Sequence, residues 1–482
     1  MTDAPPIRGR TMSRAWTYFR PYIRPRARWR ELSLLGLVGV TLWAGSVTLG
    51  ATINLRAATL AAGEPPASLD GLIAAYQPEL LAAYLGALIA AHLTLVTVGR
   101  ATDQILLPTV GLLGGLSLLL MERLPQELGG SLGGLARTQL VWLVLGLAAI
   151  TGAGIAIRSD AWLRRYKYTW AALGVGLLLL TFVLGREVND QRLTLAIGPI
   201  SGQPTELLKL ILVIFLAGYL SENRSLLVER SMRLGPWRLP SLPYLAPMAA
   251  MWAIALGVVI VQRDLGAALL LFAVFLLLLY VATARWGYVL LGSGAFIAGG
   301  AMLYSAFDHV RTRVDIWLDP FSRAQEAGYQ VVQALHAFAR GGILGTGLGA
   351  GLPTLGSGWP GGIPELHTDF PFAALGEELG LIGVLAILGL YLVVIERGLR
   401  IAASAADEYR ALLAAGLSLV VGVQALVIAA GNLKLIPLTG ITLPFISYGG
   451  SSLLANGLIV GLLLALSDRG IDAPPPPRRR GA

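Results

Sequence analysis

Long apolar runs constrain this chain more than any other feature of its sequence. Twelve stretches approach or exceed the length of about 20 residues that a helix needs to cross the hydrocarbon core of a bilayer. Several carry no charge from end to end, among them Leu265–Ala284 and Trp286–Phe307. Runs this long, without alternation of apolar and polar residues, are not those of barrel strands. The stretches cover residues 32–54, 79–99, 104–121, 138–157, 166–185, 204–221, 242–261, 265–284, 287–306, 370–395, 411–430 and 444–467.

Composition excludes several classes of protein. Hydrophobic residues make up 55% of the 482 residues and charged residues only 13%, about half of what a soluble chain carries. The chain has no cysteine, which excludes a disulfide scaffold, a thiolate zinc site and a cysteine nucleophile. Its net charge of +9 is concentrated at the ends, with eight arginines within residues 8–30. That placement is typical of flanks beside anionic lipid rather than of nucleic-acid binding. We therefore predict an all-α polytopic membrane protein of about twelve transmembrane helices.

The distribution of basic residues predicts the orientation. An even number of spans puts both termini on one side of the membrane. If that side is the cytoplasm, inner segments hold 25 Lys and Arg and outer segments hold 11, with Lys209 inside a span. This excess on the inner side is the expected one. The first apolar run, 32–54, is longer than the apolar region of a cleavable signal peptide, so no signal peptide is expected.

The unusual segments of the chain all fall on the outer side in this topology. Since segments distant in sequence meet on one face, they predict a cavity that opens outward, and polar groups at a membrane edge are by default candidates for function. The segments are 189–209, 262–266, 311–370 and 437–452.

The longest outer segment, 308–369, is too long to be an ordinary connection, and such loops are usually functional. Tyr329, Val332, Leu335 and Phe338 recur within it at helical spacing, which predicts a helix that lies on the membrane face. The glycine-dense run 341–351 follows. It lacks the Lys-Ser/Thr of a phosphate-binding P-loop, so we interpret it as a tight, adaptable loop.

Asp369 stands where the polar sequence PELHTD meets the apolar run that begins at Phe370. A carboxylate there is partly removed from water, which raises its pKa and suits a general base. The alternative is structural, because Asp369 or Thr368 would also cap a helix that begins at this point. Asp264 is open to the same two interpretations, with Arg263 beside it as an ion-pair partner.

Glu206 and Lys209 lie three residues apart inside the sixth stretch, so a helix places them on one face. Either they form a buried pair that ties this helix to a neighbour, or Lys209 binds a ligand that carries phosphate. If only structural, Lys209 would also be able to extend toward the interface. Glu377 and Glu378 are interpreted as packing or helix-pairing groups.

Metal and serine chemistry find little support in the sequence. The four histidines, at positions 92, 309, 336 and 367, lack the spacing of metal ligands. The serines of the last outer segment have no His and Asp motif beside them, so a serine nucleophile is weakly supported.

Five motifs in fixed order resemble the SEDS family (shape, elongation, division and sporulation), which comprises the RodA, FtsW and SpoVE proteins. The resemblance covers about residues 103–468. Two departures are Thr194, where the family commonly has Trp, and Pro371, in a first helical turn where proline is tolerated. The motifs are AIGPISGQPTELLK at 196–209, QRDLG at 262–266, DP, GYQ and GGILG within 319–345, PELHTDFPFAALGEELG at 364–380, and PLTGITLPFISYGGSS at 437–452.

This resemblance implies a peptidoglycan glycosyltransferase that polymerises lipid II into glycan strands for cell elongation or division. The catalytic aspartate of the family's HTDF motif corresponds to Asp369. The family's cavity also carries the residues that correspond to Glu206, Lys209 and Asp264. Negative charge develops on the lipid pyrophosphate as it leaves, and fixed cations stabilise it. We therefore add the outer-side cations Arg192, Arg263 and Arg313 as substrate-binding candidates. His367 and Ser451, on the same side, are further candidates.

The resemblance also implies partners, a location and an organisation. We expect lipid II, the growing glycan strand, membrane lipid and a class B penicillin-binding protein as partners, in the bacterial cytoplasmic membrane. No cofactor is indicated, although a divalent cation, Mg²⁺ or Mn²⁺, would assist the reaction. The expected regions are a basic cytoplasmic segment 1–31, two extra transmembrane helices within 32–102, the core 103–468 with its extracellular loop 308–369, and a flexible basic cytoplasmic tail 469–482.

Two other classes of function remain open. A flippase or transporter for the same lipid would use the same polar residues, and a non-catalytic membrane scaffold would need none of them. The presence of Asp369 disfavours the scaffold. Clustering of the marked segments on the outer side disfavours a transporter, which needs polar groups along the full depth of the membrane.

Overall fold

The chain is mainly helical throughout the part that the computed structural model describes: residues 26–61, 76–124, 134–157, 160–188, 191–197, 200–229, 231–234, 237–240, 253, 257, 264–351 and 362–468. Within these residues, nine helices are long and apolar enough to cross a membrane, and two shorter helices are also apolar. The predicted class, a polytopic helical membrane protein, is therefore confirmed. The seventh predicted stretch, 242–261, lies outside the described residues except at isolated positions, so the total of twelve stays a prediction.

Eleven predicted stretches coincide with helices. Three of these helices run seven or eight residues past the predicted end, because residues that favour helix, mainly Ala, Leu, Arg and Glu, continue them. The helices are α1 (Trp29–Ala61), α2 (Pro78–Val98), α3 (Leu106–Glu122), α4 (Leu135–Ala156), α5 (Ala161–Arg165), α6 (Lys167–Leu184), α7 (Pro204–Glu229), α8 (Leu265–Thr283), α9 (Trp286–Ala306), α10 (Asp308–Leu318), α11 (Tyr329–Gly341), α12 (Pro371–Ala403), α13 (Glu408–Asn432) and α14 (Gly450–Leu466).

Two small antiparallel sheets occupy connections between helices, where the sequence analysis expected no strands. Strands β1 (Arg186–Val188), β2 (Gln191–Ile197) and β3 (Ile200–Gly202) form a meander between α6 and α7. Strands β4 (Ser231–Leu234) and β5 (Trp237–Pro240) form a hairpin after α7. The runs are too short to cross a bilayer, and their polar and apolar residues alternate, which suits a strand with one exposed face. Hydropathy averaged over about 20 residues does not detect them.

Close backbone contact joins α4 to α14. A Cβ added at Gly457 would lie 2.8 Å from the carbonyl oxygen of Gly146, and one at Gly461 would lie 2.7 Å from that of Ile150. Small residues allow membrane helices to approach this closely, and packing then replaces the hydrophobic driving force that lipid does not supply. These two helices therefore form one tightly packed unit beside the outer segments.

Ion pairs join the helix ends on the predicted cytoplasmic side. Each pair links two elements, so the charges hold the helix ends in register. Because most of these groups are at least half-buried, removing one partner would leave a poorly solvated charge. The pairs are Arg397 with Asp103, Arg410 with Asp160, Lys167 with Glu222, and Arg224 with Glu408.

The helix predicted around Tyr329–Phe338 is present as α11, but its environment differs from the prediction. Its apolar side, including the buried residues Val332 and Ala337, packs toward α12. The rings of Phe338 and Phe372 meet edge to face, with centroids 6.0 Å apart. The apolar face is thus covered by protein, not by the membrane surface, because the start of α12 offers it a closer apolar partner.

Helix α12 is broken at Gly380, whose φ of 65° is not helical. The glycine-dense loop fills the break: the N–H groups of Leu381 and Ile382 donate to the carbonyls of Gly342 and Ile343 at 3.0 and 3.2 Å. Broken membrane helices require such partners for their freed backbone groups.

The loop in turn donates to the upstream half of α12. The N–H groups of Thr346 and Gly347 bond the carbonyls of Glu377 and Glu378 at 3.0 and 2.9 Å. The side chains of both glutamates are buried, and they pair with Arg340 and Arg123 respectively. Their interpretation as packing and pairing groups agrees with these contacts.

Candidate functional site

Described parts of the four predicted outer segments meet in space. The Arg313 guanidinium of α10 donates to the carbonyls of Leu438 and Thr439 at 3.3 and 3.2 Å. The Gln203 amide donates to the Asp264 carboxylate at 3.4 Å. Loops separated by hundreds of residues therefore form one polar surface at one end of the helical bundle.

The HTDF turn is held by the last outer segment. The Ser447 hydroxyl donates to the Thr368 carbonyl at 2.7 Å, and the Tyr448 N–H donates to the His367 carbonyl at 2.8 Å. The His367 ring also packs against the Tyr448 ring, with centroids 5.6 Å apart. These bonds fix the backbone immediately before Asp369.

Asp369 does not cap α12. The cap position is Phe370, and the side chain of Asn432, at the end of α13, provides the acceptor: its Oδ1 accepts from the Ala373 N–H at 3.2 Å. The Asn432 amide also donates to the Asp369 carbonyl at 3.0 Å. The capping interpretation of Asp369 is therefore wrong, because a residue from another helix satisfies the orphan N–H group.

The Asp369 carboxylate remains available for chemistry. It is half-buried, and no described residue donates a hydrogen bond to it. Burial, reinforced by the nearby Glu365, raises the pKa of Asp369 to about 6, although Arg313 opposes the shift. Burial also lowers the pKa of His367, against the opposing effect of Glu365, which keeps the imidazole neutral at physiological pH.

Asp369 lines a cavity of about 210 Å³ together with two cations. Arg313 is held there by the two carbonyls of the 437–442 segment. The Lys434 ammonium donates to the Leu318 carbonyl at 3.3 Å, while the Trp317 indole donates to the Lys434 carbonyl at 3.1 Å. Lys434 has a φ of 58°, uncommon for a residue with a side chain and a reason to suspect function. Lys434 was not predicted from the sequence.

Asp264, in contrast, caps a helix. Its Oδ1 accepts from the Ala267 N–H at 2.9 Å, at the start of α8. Burial raises its pKa, with Ala267 and Arg313 opposing and Glu206 adding to the shift. Its predicted partner Arg263 lies outside the described residues.

Glu206 and Lys209 form the predicted buried pair, with 2.6 Å between the ammonium and the carboxylate. Lys209 is 2% exposed and also donates to the side chains of Gln424 at 2.7 Å and Asn456 at 3.4 Å. The pair therefore links α7 to α13 and α14, which favours the structural interpretation. Gln424 and Asn456 are polar residues inside apolar stretches, the one signal that would have identified them.

The two polar regions adjoin. A second cavity of about 30 Å³ is lined by Glu206, Lys209 and Asp264, and Gly440 lines both this cavity and the larger one. Gly440 has a φ of 69° and lies close to Arg313. A movement of the 437–442 segment therefore alters both cavities.

Two further candidates are less defined. Ser451 lies in the first turn of α14 and is half-buried; its neighbour Ser452 is the serine that bonds the Thr442 hydroxyl, at 2.6 Å. Arg192 belongs to β2, but its side chain lies outside the part of the chain that the structure describes. Both remain predictions. Among the described residues there is no group of three or more His, Asp or Glu side chains that would hold a metal ion.

Comparison with known proteins places this geometry in a family. The chain matches the model of the cell cycle proteins FtsW, RodA and SpoVE over residues 82–470. It is 41% identical over 382 residues to the peptidoglycan glycosyltransferase RodA of Mycobacterium tuberculosis, covering 78% of this chain and 80% of that protein. It is 40% identical over 335 residues to the probable peptidoglycan glycosyltransferase FtsW of Nitrosococcus halophilus, covering 68% and 81%.

Solved structures agree with this assignment. RodA of Thermus thermophilus matches with a TM-score of 0.54 at 26% identity, covering 76% of this chain and 97% of that chain. A chain from a structure described as the structural coordination of polymerization and crosslinking by a peptidoglycan synthase complex matches with a TM-score of 0.61 at 27% identity, covering 76% and 98%. The resemblance read from five motifs, and the glycosyltransferase class that it implied, are confirmed. The chain belongs to the FtsW, RodA and SpoVE family.

Proposed function

We propose that this protein polymerises lipid II into glycan strands at the outer face of the cytoplasmic membrane, with Asp369 as the general base. One observation carries the proposal: the Asp369 carboxylate is released from capping by Asn432 and lines a cavity that two cations also line. A side chain that only stabilised its helix would be engaged by that helix.

The acceptor sugar hydroxyl is a poor nucleophile until a base removes its proton. A general base works best when its pKa is near the operating pH, and the raised pKa of Asp369, about 6, meets that condition. In the step that we propose, the hydroxyl proton passes to Asp369. The hydroxyl oxygen bonds the donor sugar, and the bond from that sugar to the lipid pyrophosphate breaks.

Arg313 and Lys434 are the cations that we assign to the pyrophosphate. Backbone carbonyls orient both side chains in the cavity that contains Asp369, so they need little rearrangement when charge develops on the leaving group. Arg192 and Arg263 lie on the same predicted outer side and remain secondary candidates, and we add Arg311 of α10 to them. Lys209 is already engaged by three acceptors and is not assigned to the substrate.

A divalent cation remains part of the proposal only as an assistant to these groups. Asp369 lines the larger cavity, Asp264 and the Lys209-paired Glu206 line the smaller one, and Arg313 lies near both aspartates. The described residues contain no cluster of three or more His, Asp or Glu side chains, so no step of the proposed reaction depends on Mg²⁺ or Mn²⁺.

The membrane setting extends the proposal to location and partners. The polyprenyl tail of lipid II would remain in the bilayer while its sugars enter the cavity, with both termini of the protein in the cytoplasm. A class B penicillin-binding protein is the partner that we propose, supported by the fold shared with a chain of a peptidoglycan synthase complex.

Polymerisation in detergent tests the function directly. Purified protein with lipid II as its only substrate should produce glycan strands in a micelle, where no transbilayer movement is needed. If no strands form there while lipid II crosses the bilayer of reconstituted vesicles, the protein is a transporter and the proposal falls.

Orientation is tested by cysteine labelling. Single cysteines at the exposed positions Ser322 and Ala406 should react with an impermeant thiol reagent from opposite sides of intact cells, in a background that already lacks cysteine. Labelling of both positions from the same side would overturn the proposed topology.

A further inference from the structure

Helix α1 lies outside the region that matches the family model, which begins at residue 82. It is nevertheless packed into the described structure. Leu42 and Leu49 are 0% and 1% exposed, and the Ser46 hydroxyl lies 2.9 Å from the Tyr76 hydroxyl. Near its start, the Arg28 guanidinium donates to the Thr102 hydroxyl at 2.7 Å.

The buried face of α1 contacts two different structures. Leu42 presses on Gly115 of α3, where an added Cβ would lie 2.1 Å from a Leu42 methyl. Leu49 presses on Gly349, at the tip of the glycine-dense loop, where an added Cβ would lie 2.7 Å from a Leu49 methyl. A Cβ at Gly45 would meet Leu348 of the same loop at 3.2 Å. Residues three, four and seven apart lie on one helix face, so these contacts form a single surface.

The loop that α1 supports is the one that fills the break in α12. Gly345 approaches the Glu378 carbonyl so closely that a Cβ would lie 2.2 Å from it. The loop therefore holds the C-terminal end of the upstream half of α12, Pro371–Leu379. Asp369 lies two residues before the N-terminal end of this half-helix.

We propose that α1 is a positioning element for the catalytic site, acting through Leu49 and the glycine-dense loop on the half-helix that follows Asp369. The inference rests on the proposed function of Asp369 and extends it to a helix outside the family model. Leu49 touches no reacting atom; it sets the position of the loop, and the loop sets the position of the half-helix.

Three substitutions of one residue type test the proposal. Leu49→Ala removes the contact with the loop, and Leu42→Ala removes an equally buried contact with α3. Leu37→Ala changes a residue that is 63% exposed on the outside of α1. We expect Leu49→Ala to lower kcat for lipid II polymerisation by on the order of tenfold to a hundredfold, with KM nearly unchanged, because a misplacement of about 1 Å costs on the order of a hundredfold. Leu42→Ala and Leu37→Ala should retain kcat.

Amide hydrogen exchange gives a readout that does not depend on enzymatic activity. In Leu49→Ala, the amides of Leu381 and Ile382, which bond the loop, should exchange faster than in wild type and in Leu42→Ala. Unchanged exchange in Leu49→Ala overturns the inference even if the protein proves not to be a polymerase. Equal losses of kcat in Leu49→Ala and Leu42→Ala would also overturn it, since they would reflect general loosening of α1. If Leu49→Ala exchanges faster but the wild-type protein proves to have no polymerase activity, the coupling of α1 to α12 stands and the proposed function falls.

Discussion

The starts of α8 and α12 present the same residue type in the same setting and use it differently. Asp264 precedes α8 and accepts from Ala267, in the ordinary manner of a cap. Asp369 precedes α12 by one residue more, and Asn432 supplies the acceptor in its place. A capping residue contributes about 1 kcal/mol to stability, so the fold gains the same term at both helices. Only at α12 does it gain that term without using the acidic side chain.

The difference teaches how to separate a structural carboxylate from a chemical one. Sequence position gave both residues the same two interpretations. The hydrogen-bond partners of the helix N–H groups distinguish them. Asp264 bonds its own helix, whereas Asp369 is half-buried near cations and does not bond α12. Holding a carboxylate in that state costs stability, which a capping carboxylate does not. Four experiments break or sharpen this contrast.

The largest expected effect is on the rate of the Asp369→Asn variant. Asparagine retains the size of the side chain but cannot accept a proton at neutral pH, so polymerisation of lipid II should fall by on the order of a hundred- to ten-thousand-fold. The melting temperature should not fall, since Asn432 still caps α12. The matched change Asp264→Asn retains a cap acceptor and should cost less activity. Near-normal polymerisation by Asp369→Asn would end the proposal for a general base.

The second effect concerns the Glu206 and Lys209 pair. Lys209→Met leaves Glu206 buried without its cation, and such a loss costs about 3–5 kcal/mol of stability. The double variant Glu206→Gln with Lys209→Met removes both charges and should be more stable than Lys209→Met alone, as a double-mutant cycle on unfolding would measure. Recovery of polymerase activity in the double variant would agree with the structural interpretation. If activity stays lost while stability returns, Lys209 acts on the substrate.

The third effect is a dependence on pH. Because the pKa of Asp369 is raised from 3.8 to about 6, its protonated form favours the folded state. That stability is present below the unfolded pKa and is lost as the pH rises through about 6. Catalysis needs the other form, so kcat/KM should fall about tenfold per pH unit below 6.

Thermal melting checks the same titration independently. The Asp369→Asn variant should melt above wild type at pH 8, and the gap should narrow toward pH 5. A rate that is flat between pH 5 and 8, together with a constant melting gap, would show that Asp369 does not titrate in this range.

The smallest effect separates the two caps. Asn432→Ala and Asp264→Ala should each lower the free energy of unfolding by about 1 kcal/mol. Asn432→Ala should also reduce polymerisation, because the Asn432 amide holds the Asp369 carbonyl. Asn432→Asp is a second variant that keeps the cap acceptor but replaces the donor by a buried carboxylate beside the Asp369 carbonyl, so it should keep the cap and lose activity. Equal activity in wild type and Asn432→Ala would mean that α12 does not need this bond to place Asp369.

Hydropathy and motif order were enough to predict most of the membrane architecture and to select Asp369. Apolar runs of this length have few alternatives in a bilayer, so eleven helices appeared close to their predicted positions. The acceptor for α12 was not predictable, because Asn432 comes from a helix end 63 residues further along the chain. The same holds for Lys209, whose acceptors Gln424 and Asn456 are 215 and 247 residues away. Contacts of this range depend on how helices pack, which periodicity in one helix does not encode.

The glycine contacts between α4 and α14 have a mechanical consequence. Backbones in direct contact cannot slide past each other without a steric clash, so this helix pair is rigid. The 443–448 segment leads into α14 and is therefore held in place by the pair. The larger cavity, in contrast, is bordered by α10, which is attached by four hydrogen bonds to carbonyl oxygens: two from Arg313, one from Trp317 and one from Lys434. Such bonds break one at a time at little cost, because water can replace each partner. We therefore expect α10 to shift more readily than the α4–α14 pair when a bulky lipid-linked sugar enters the larger cavity.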